Sequence, residues 1–186
     1  MSCLPPAFQW LANEIAPKHL LHALGLYGIK EKIGKTGKVD NPVILDWARE
    51  LEVLEIFTST RVPWCGLFLA KVMHEAGRPA PSAFYRAQEW GQWGIACGGG
   101  PSLGDVLTFW RDGGGHVGLY VGEGLLKGTK VFWVLGGNQN DQVSIVPIAQ
   151  SRLSTARRPA YVAKPANVRR VFITATIADT LSRNEA

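Results

Sequence analysis

No stretch of this 186-residue chain approaches the ~20 consecutive apolar residues that cross a bilayer as a helix. Stable membrane insertion is therefore not expected. Cysteine is scarce: Cys3, Cys65 and Cys97 make an odd set with no CxxC pair. That argues against a disulfide framework and against a cysteine zinc site. The opening MSCLPPAFQWLANE has no basic region followed by a clean apolar stretch, because Pro5, Pro6, Asn13 and Glu14 interrupt it. No secretory signal is read there, and synthesis in the cytoplasm without a signal peptide is the expectation. Internal repeats and low-complexity segments are also missing.

What is present suits one domain with a core of its own. The formal net charge is +5, which favours an anionic partner such as nucleic acid, an acidic cell wall or a membrane surface, or else serves solubility. Arg157-Arg158 and Arg169-Arg170 could contact nucleic acid. With no RNP, zinc-finger or clear helix-turn-helix pattern, nucleic acid is not the expected partner.

The first half reads as helical. Apolar residues recur at helical spacing over 8–15 and 20–26, with Pro17 between them. Asn41 and Pro42 make a cap and first residue for PVILDWARELEVL. A third helix runs from Trp64 to Ala76 and stops at Gly77, and Ser82 can cap a short helix, AFYRAQEWG. After GGGPSLGD the pattern changes to short β-rich runs at 106–110, 116–121, 131–135 and 143–148. Helices followed by strands predict an α+β domain, with N-terminal helices packed on a C-terminal antiparallel sheet. Residues 1–163 form this domain, and 164–186 read as an appended tail.

Cys65 follows Pro63-Trp64 at the start of the third helix, where free N–H groups and the helix dipole favour a thiolate. The competing reading is a small buried apolar residue. A nucleophilic cysteine needs a base, and there are four histidines. His19 and His22 share an early helix, where surface or core roles suffice. His74 is nine residues beyond Cys65 on the same helix, ~13 Å along its axis and out of reach. His116 opens the strand HVGLYV after three glycines that leave access unobstructed; a solvated strand-end histidine is the alternative. HVGLYV and VFWVL should form a hairpin. If Glu123 pairs near Val131, Asn138 falls opposite His116 on the same face, where it could orient the imidazole. A bulge at Gly136-Gly137 would shift this by one, and GGNQND is also a natural turn.

These pieces resemble the CHAP family (cysteine, histidine-dependent amidohydrolases/peptidases), a papain-like group that includes many phage endolysins and bacterial wall hydrolases. The matching stretches are PWCGLFLAKVMHEAG, GDVLTFWR, GHVGLYVGE and VLGGNQNDQVSI. GIKEKIGKTGKVDNPVILDWARE is similar to the leader of a small phage and prophage branch, so the likeness spans roughly residues 24–160. It implies a papain-like fold and a Cys65–His116–Asn138 set that cleaves an amide bond in peptidoglycan through an acyl-enzyme. Many members carry Glu two residues before the Asn; this chain has Gly136, so the third role rests on Asn138, helped by Gln139.

Trp64, beside the nucleophile, has the best case for lining the substrate groove; Tyr85, Trp110 and Gln139 are expected there too, although for these three core packing is the stronger competitor. Some family members hold calcium in an Asp-rich loop near the cysteine. No such cluster is present, so no metal and no cofactor are expected. The expected partner is bacterial peptidoglycan, reached by holin, phage-tail or secretion-system delivery, and a monomer is expected. The alternative is a non-catalytic wall-binding or phage structural module.

Overall fold

The helical half is punctuated by prolines and one asparagine. The computed structural model describes residues 4–34, 36–111, 113–174 and 182; Cys3 and the end of the tail lie outside the described residues. Pro6 opens a 3-10 segment, Pro6–Asn13. Pro17 precedes α1, Lys18–Gly25. Asn41 caps α2, Pro42–Glu50, its side-chain oxygen accepting from the Val43 N–H at 3.1 Å. This helix ends short of the predicted Leu54, because Glu52 takes a left-handed φ of 57°.

α3, Cys65–Glu75, ends at Gly77 with φ 68°. The Arg78 N–H returns to the Met73 carbonyl at 2.9 Å, the closing bond expected past a C-terminal glycine. Eight of its eleven residues are buried, so the helix is anchored on nearly every side. The predicted helix after Ser82 is instead a series of turns leading into a 3-10 segment, Ala87–Gln92. The Phe84 carbonyl, which a continuing helix would use, accepts from the Trp90 indole at 2.9 Å.

Six strands form one sheet: β3 (Ile95–Ala96), β4 (Val106–Arg111), β5 (Gly114–Leu126), β6 (Thr129–Gly136), β7 (Ser144–Ala149) and β8 (Leu153–Arg158). Their order is β3-β8-β4-β5-β6-β7, every neighbouring pair antiparallel. A two-stranded hairpin, β1 (Lys32–Ile33) and β2 (Val39–Asp40), stands apart from it. β8 was not foreseen, since LSTARR is polar and half-buried along its length. A hydroxyl pair, Thr108 Oγ1 to Thr155 Oγ1 at 2.7 Å, links it to β4.

Val117, Leu119, Trp133 and Leu135 meet Leu67, Phe68 and Val72 of α3 in the main core. Alternation sends Leu107, Phe109, Tyr120, Phe132, Val134, Val146 and Ile148 to the other face, where they bury one another with Leu153 and Ala156. The chain is thus a mixed α+β fold, helices on one face of an antiparallel sheet.

Beyond Lys164, the described part of the predicted tail lies against the sheet. Val168 is buried, and Phe172 forms a parallel bridge with Glu123. Among the described residues, no helix is long and apolar enough to cross a membrane.

Candidate active site

Cys65 is the first residue of α3, and Gly66 explains why the chain can cover it. A Cβ on Gly66 would stand 3.0 Å from the Tyr85 carbonyl oxygen and closer still to that of Phe84. Only glycine lets the 84–85 backbone cross the first turn of α3 and bring Tyr85 beside the cysteine. The thiol lines a cleft of about 620 Å³. Burial raises its pKa above the ordinary thiol value; the Val117 N–H, the Arg111 charge and the N–H groups of Gly66 and Cys65 itself oppose that rise. The helix start therefore acts on the thiol as expected, but burial outweighs it.

The Cys65 thiol abuts the strand that carries His116. The N–H of Val117, the residue after His116, reaches the thiol. Val117 faces α3, whereas His116 pairs with Phe109 across β4–β5 and stacks on its ring, centroids 6.5 Å apart. The thiol thus lies beside the backbone one residue from His116 along β5.

His116 Nε2 lies 2.9 Å from Gln139 Oε1, both side chains buried. The Gln139 amide cannot be the other way round, since its Nε2 donates to the carbonyls of Val134 (3.1 Å) and Ser144 (2.5 Å). An amide oxygen only accepts, so His116 Nε2 is the donor in this bond.

The residue that meets His116 is thus Gln139, not Asn138. The predicted register holds near this end, Leu119 facing Leu135, after a bulge between Tyr120 and Gly122. β6 stops at Gly136, however, before the ladder reaches Asn138. Asn138, Asn140 and Asp141 all take left-handed φ, and the turn they build swings Gln139 back beneath the imidazole. Asn138 Oδ1 is buried without a hydrogen-bond partner. Gly136 is part of the same arrangement, because a Cβ there would stand 2.8 Å from Gln139 Oε1 and 3.2 Å from His116 Nε2. Gln139 occupies the space that a side chain at 136 would need.

The expected groove residues divide. Tyr85 and Trp110 line the cleft, Trp110 being 59% exposed. Trp64 does not: it is fully buried, packed on Trp47 with ring centroids 6.2 Å apart. Adjacency in sequence misled here, because residues preceding a helix and entering it point to different sides. Gln139 is also fully buried, its amide engaged internally, so it is no groove residue. Sequence reasoning missed Arg86, Gln88, Glu89 and Arg111, which also line the cleft. The Gly66 step beside the cysteine was the available signal that another segment crosses there.

His19 is buried, its Nε2 bonded to the Gly104 carbonyl at 2.7 Å. Cys97 donates to Asp105 Oδ2 at 3.2 Å, and its pKa is pushed up to about 12, by burial first and by the Asp105 charge next. Ligand atoms of Glu50, His74 and Glu75 lie within 4.8 Å of one another at the surface. The Lys71 ammonium already bridges the two carboxylates, at 2.7 and 2.5 Å. No family model, curated protein or solved structure matches the chain.

Proposed function

We propose that the protein is a cysteine amidohydrolase or peptidase with a papain-like arrangement, acting on an amide bond of peptidoglycan. The observation that carries this reading is the ordered contact at one end of the sheet. A helix-start thiol in an open cleft abuts the strand of a buried histidine whose outer nitrogen is held by an amide oxygen. That is the division of labour of cysteine hydrolases, with a third polar residue fixing tautomer and ring orientation.

Cys65 gives its proton to His116 as its sulfur attacks the substrate carbonyl carbon, forming the C–S bond. The imidazolium then protonates the amine as the C–N bond breaks. Water, deprotonated by His116, attacks the thioester, which returns the thiol and releases a carboxylate. Burial raises the thiol pKa and works against a resting thiolate, so this reading has His116 take the proton as the sulfur attacks. The Cys65 backbone N–H is the expected donor to the oxyanion. The cleft wall carries Arg86, Arg111 and Glu89 beside Tyr85 and Trp110, a lining suited to a short peptide bearing both carboxylate and amine groups.

The test is mass spectrometry of fragments released from purified peptidoglycan, with Cys65→Ala as control. New amine termini lost in the control support the hydrolase and identify the bond. Binding without release, equal in both proteins, would leave the non-catalytic wall-binding reading in its place.

A further inference from the structure

We infer a second binding site, for a multiply charged phosphate ligand, at the end of the sheet opposite the cleft. Arg158 and Arg169-Arg170, eleven residues apart in sequence, border one pocket of about 370 Å³. Lys164 adds a fourth cation, and Gly98, Gly99 and Gly100 form the opposing wall. The pocket and the cleft lie at the two ends of β4, near Asp105 and near Trp110–Arg111 respectively, roughly 15–20 Å apart at the rise of a strand.

Three features fit a phosphate. First, among the described residues no Asp or Glu lines the pocket; each carboxylate that meets its arginines holds them from elsewhere. Asp105 takes Nε and Nη2 of Arg158, which also reaches Ser102 Oγ at 3.1 Å. Glu123 takes Nε and Nη2 of Arg170 at 2.7 and 2.8 Å, and Glu14 takes Nη2 of Arg169 at 3.0 Å. A guanidinium has five N–H donors and a carboxylate occupies about two, so these arginines are oriented in advance with donors to spare. The Nη1 edge of Arg170 lies 3.9 Å from where a Cβ of Gly100 would stand.

Second, Gly99 and Gly100 have φ of 79° and 95°, and turns of this kind present successive N–H groups to anions. Third, a Cβ on Gly98 or Gly99 would meet nothing within 4 Å, so a ligand can approach the backbone itself. The concavity suits a compact phosphate group rather than a duplex or a flat bilayer. Arg157, by contrast, is spent on structure: it donates to the carbonyls of Trp93 (2.7 Å) and Gly94 (3.1 Å).

The experiment is calorimetric titration of the full chain with tripolyphosphate, a readout independent of hydrolysis. The variants are Lys164→Glu and Gly98→Asp, with Lys18→Glu, an exposed residue outside the pocket, as the equal-charge control. Gly98 has open space and no left-handed φ, so its variant should fold. One site is expected, weakened at least about tenfold by either pocket variant and unaffected by the control. No binding, or equal loss in Lys18→Glu, would overturn the site. Tighter binding to duplex DNA or to anionic vesicles, insensitive to Gly98→Asp, would overturn it too, since the recognising surface would then lie elsewhere.

Discussion

Gln139 Oε1 accepts the Nε2 proton of His116 at 2.9 Å, and this bond fixes the orientation of the imidazole ring. Replacing Gln139 by Ala removes that constraint and strands the Val134 and Ser144 carbonyls. The expected cost is about 1–3 kcal/mol of stability and about 10- to 100-fold in kcat. Gln139→Glu keeps the side chain's size and the acceptor for His116, while it too loses the donations to Val134 and Ser144. A carboxylate beside His116 should raise the imidazole pKa and move the acidic limb of the pH–rate profile upward. A profile that stays in place would remove Gln139 from the site. Asn138→Ala should leave kcat nearly unchanged and cost about 1 kcal/mol, because alanine tolerates the φ of 57° less well.

Gly136→Ala tests the same bond without touching either partner. The added methyl would crowd Gln139 Oε1 and His116 Nε2. The predicted result is a fall in kcat of about 10- to 100-fold with KM largely kept. Steady-state kinetics on released peptide would show the split.

Helices α1 to α3, the four main strands and the α+β class were legible because each rests on local signals: caps at Asn41 and Pro42, the stop at Gly77, and alternation in β5 and β6. Cys65 and His116 stood out for the same reason, one at a helix start and one at a strand start after glycines. β8 was hidden, since a half-buried polar strand carries no hydrophobic rhythm. The exchange of Asn138 for Gln139 was hidden too. Strand pairing fixes sidedness only while the ladder lasts, and three left-handed residues end it.

Two tryptophans next to key elements should behave oppositely. Trp64→Ala empties a fully buried site and should cost about 3–5 kcal/mol of stability. Trp110→Ala removes an exposed ring on the cleft wall and should raise KM while leaving the urea midpoint almost unmoved. Chemical denaturation alongside kinetics distinguishes the two.

His19 predicts an acid limb to stability. Burial lowers its folded pKa from 6.5 to about 4, so folding requires the neutral ring where the unfolded chain is protonated. The unfolded state then binds more protons between those values, and stability rises with pH across the window. The contribution is complete above pH 6.5 and falls by about 3 kcal/mol as pH drops through 4. Urea unfolding of the wild type and His19→Gln at pH 7.5 and pH 5 should show the slope only in the wild type.

The most direct test of the Cys65–His116 relationship is the rate of iodoacetamide alkylation across pH, read by peptide mass. Cys65 should react faster than Cys97, with a pH dependence that His116→Ala abolishes and Gln139→Glu shifts. Equal rates at Cys65 in the wild type and His116→Ala, or Cys97 as the faster thiol, would contradict a nucleophile activated by His116.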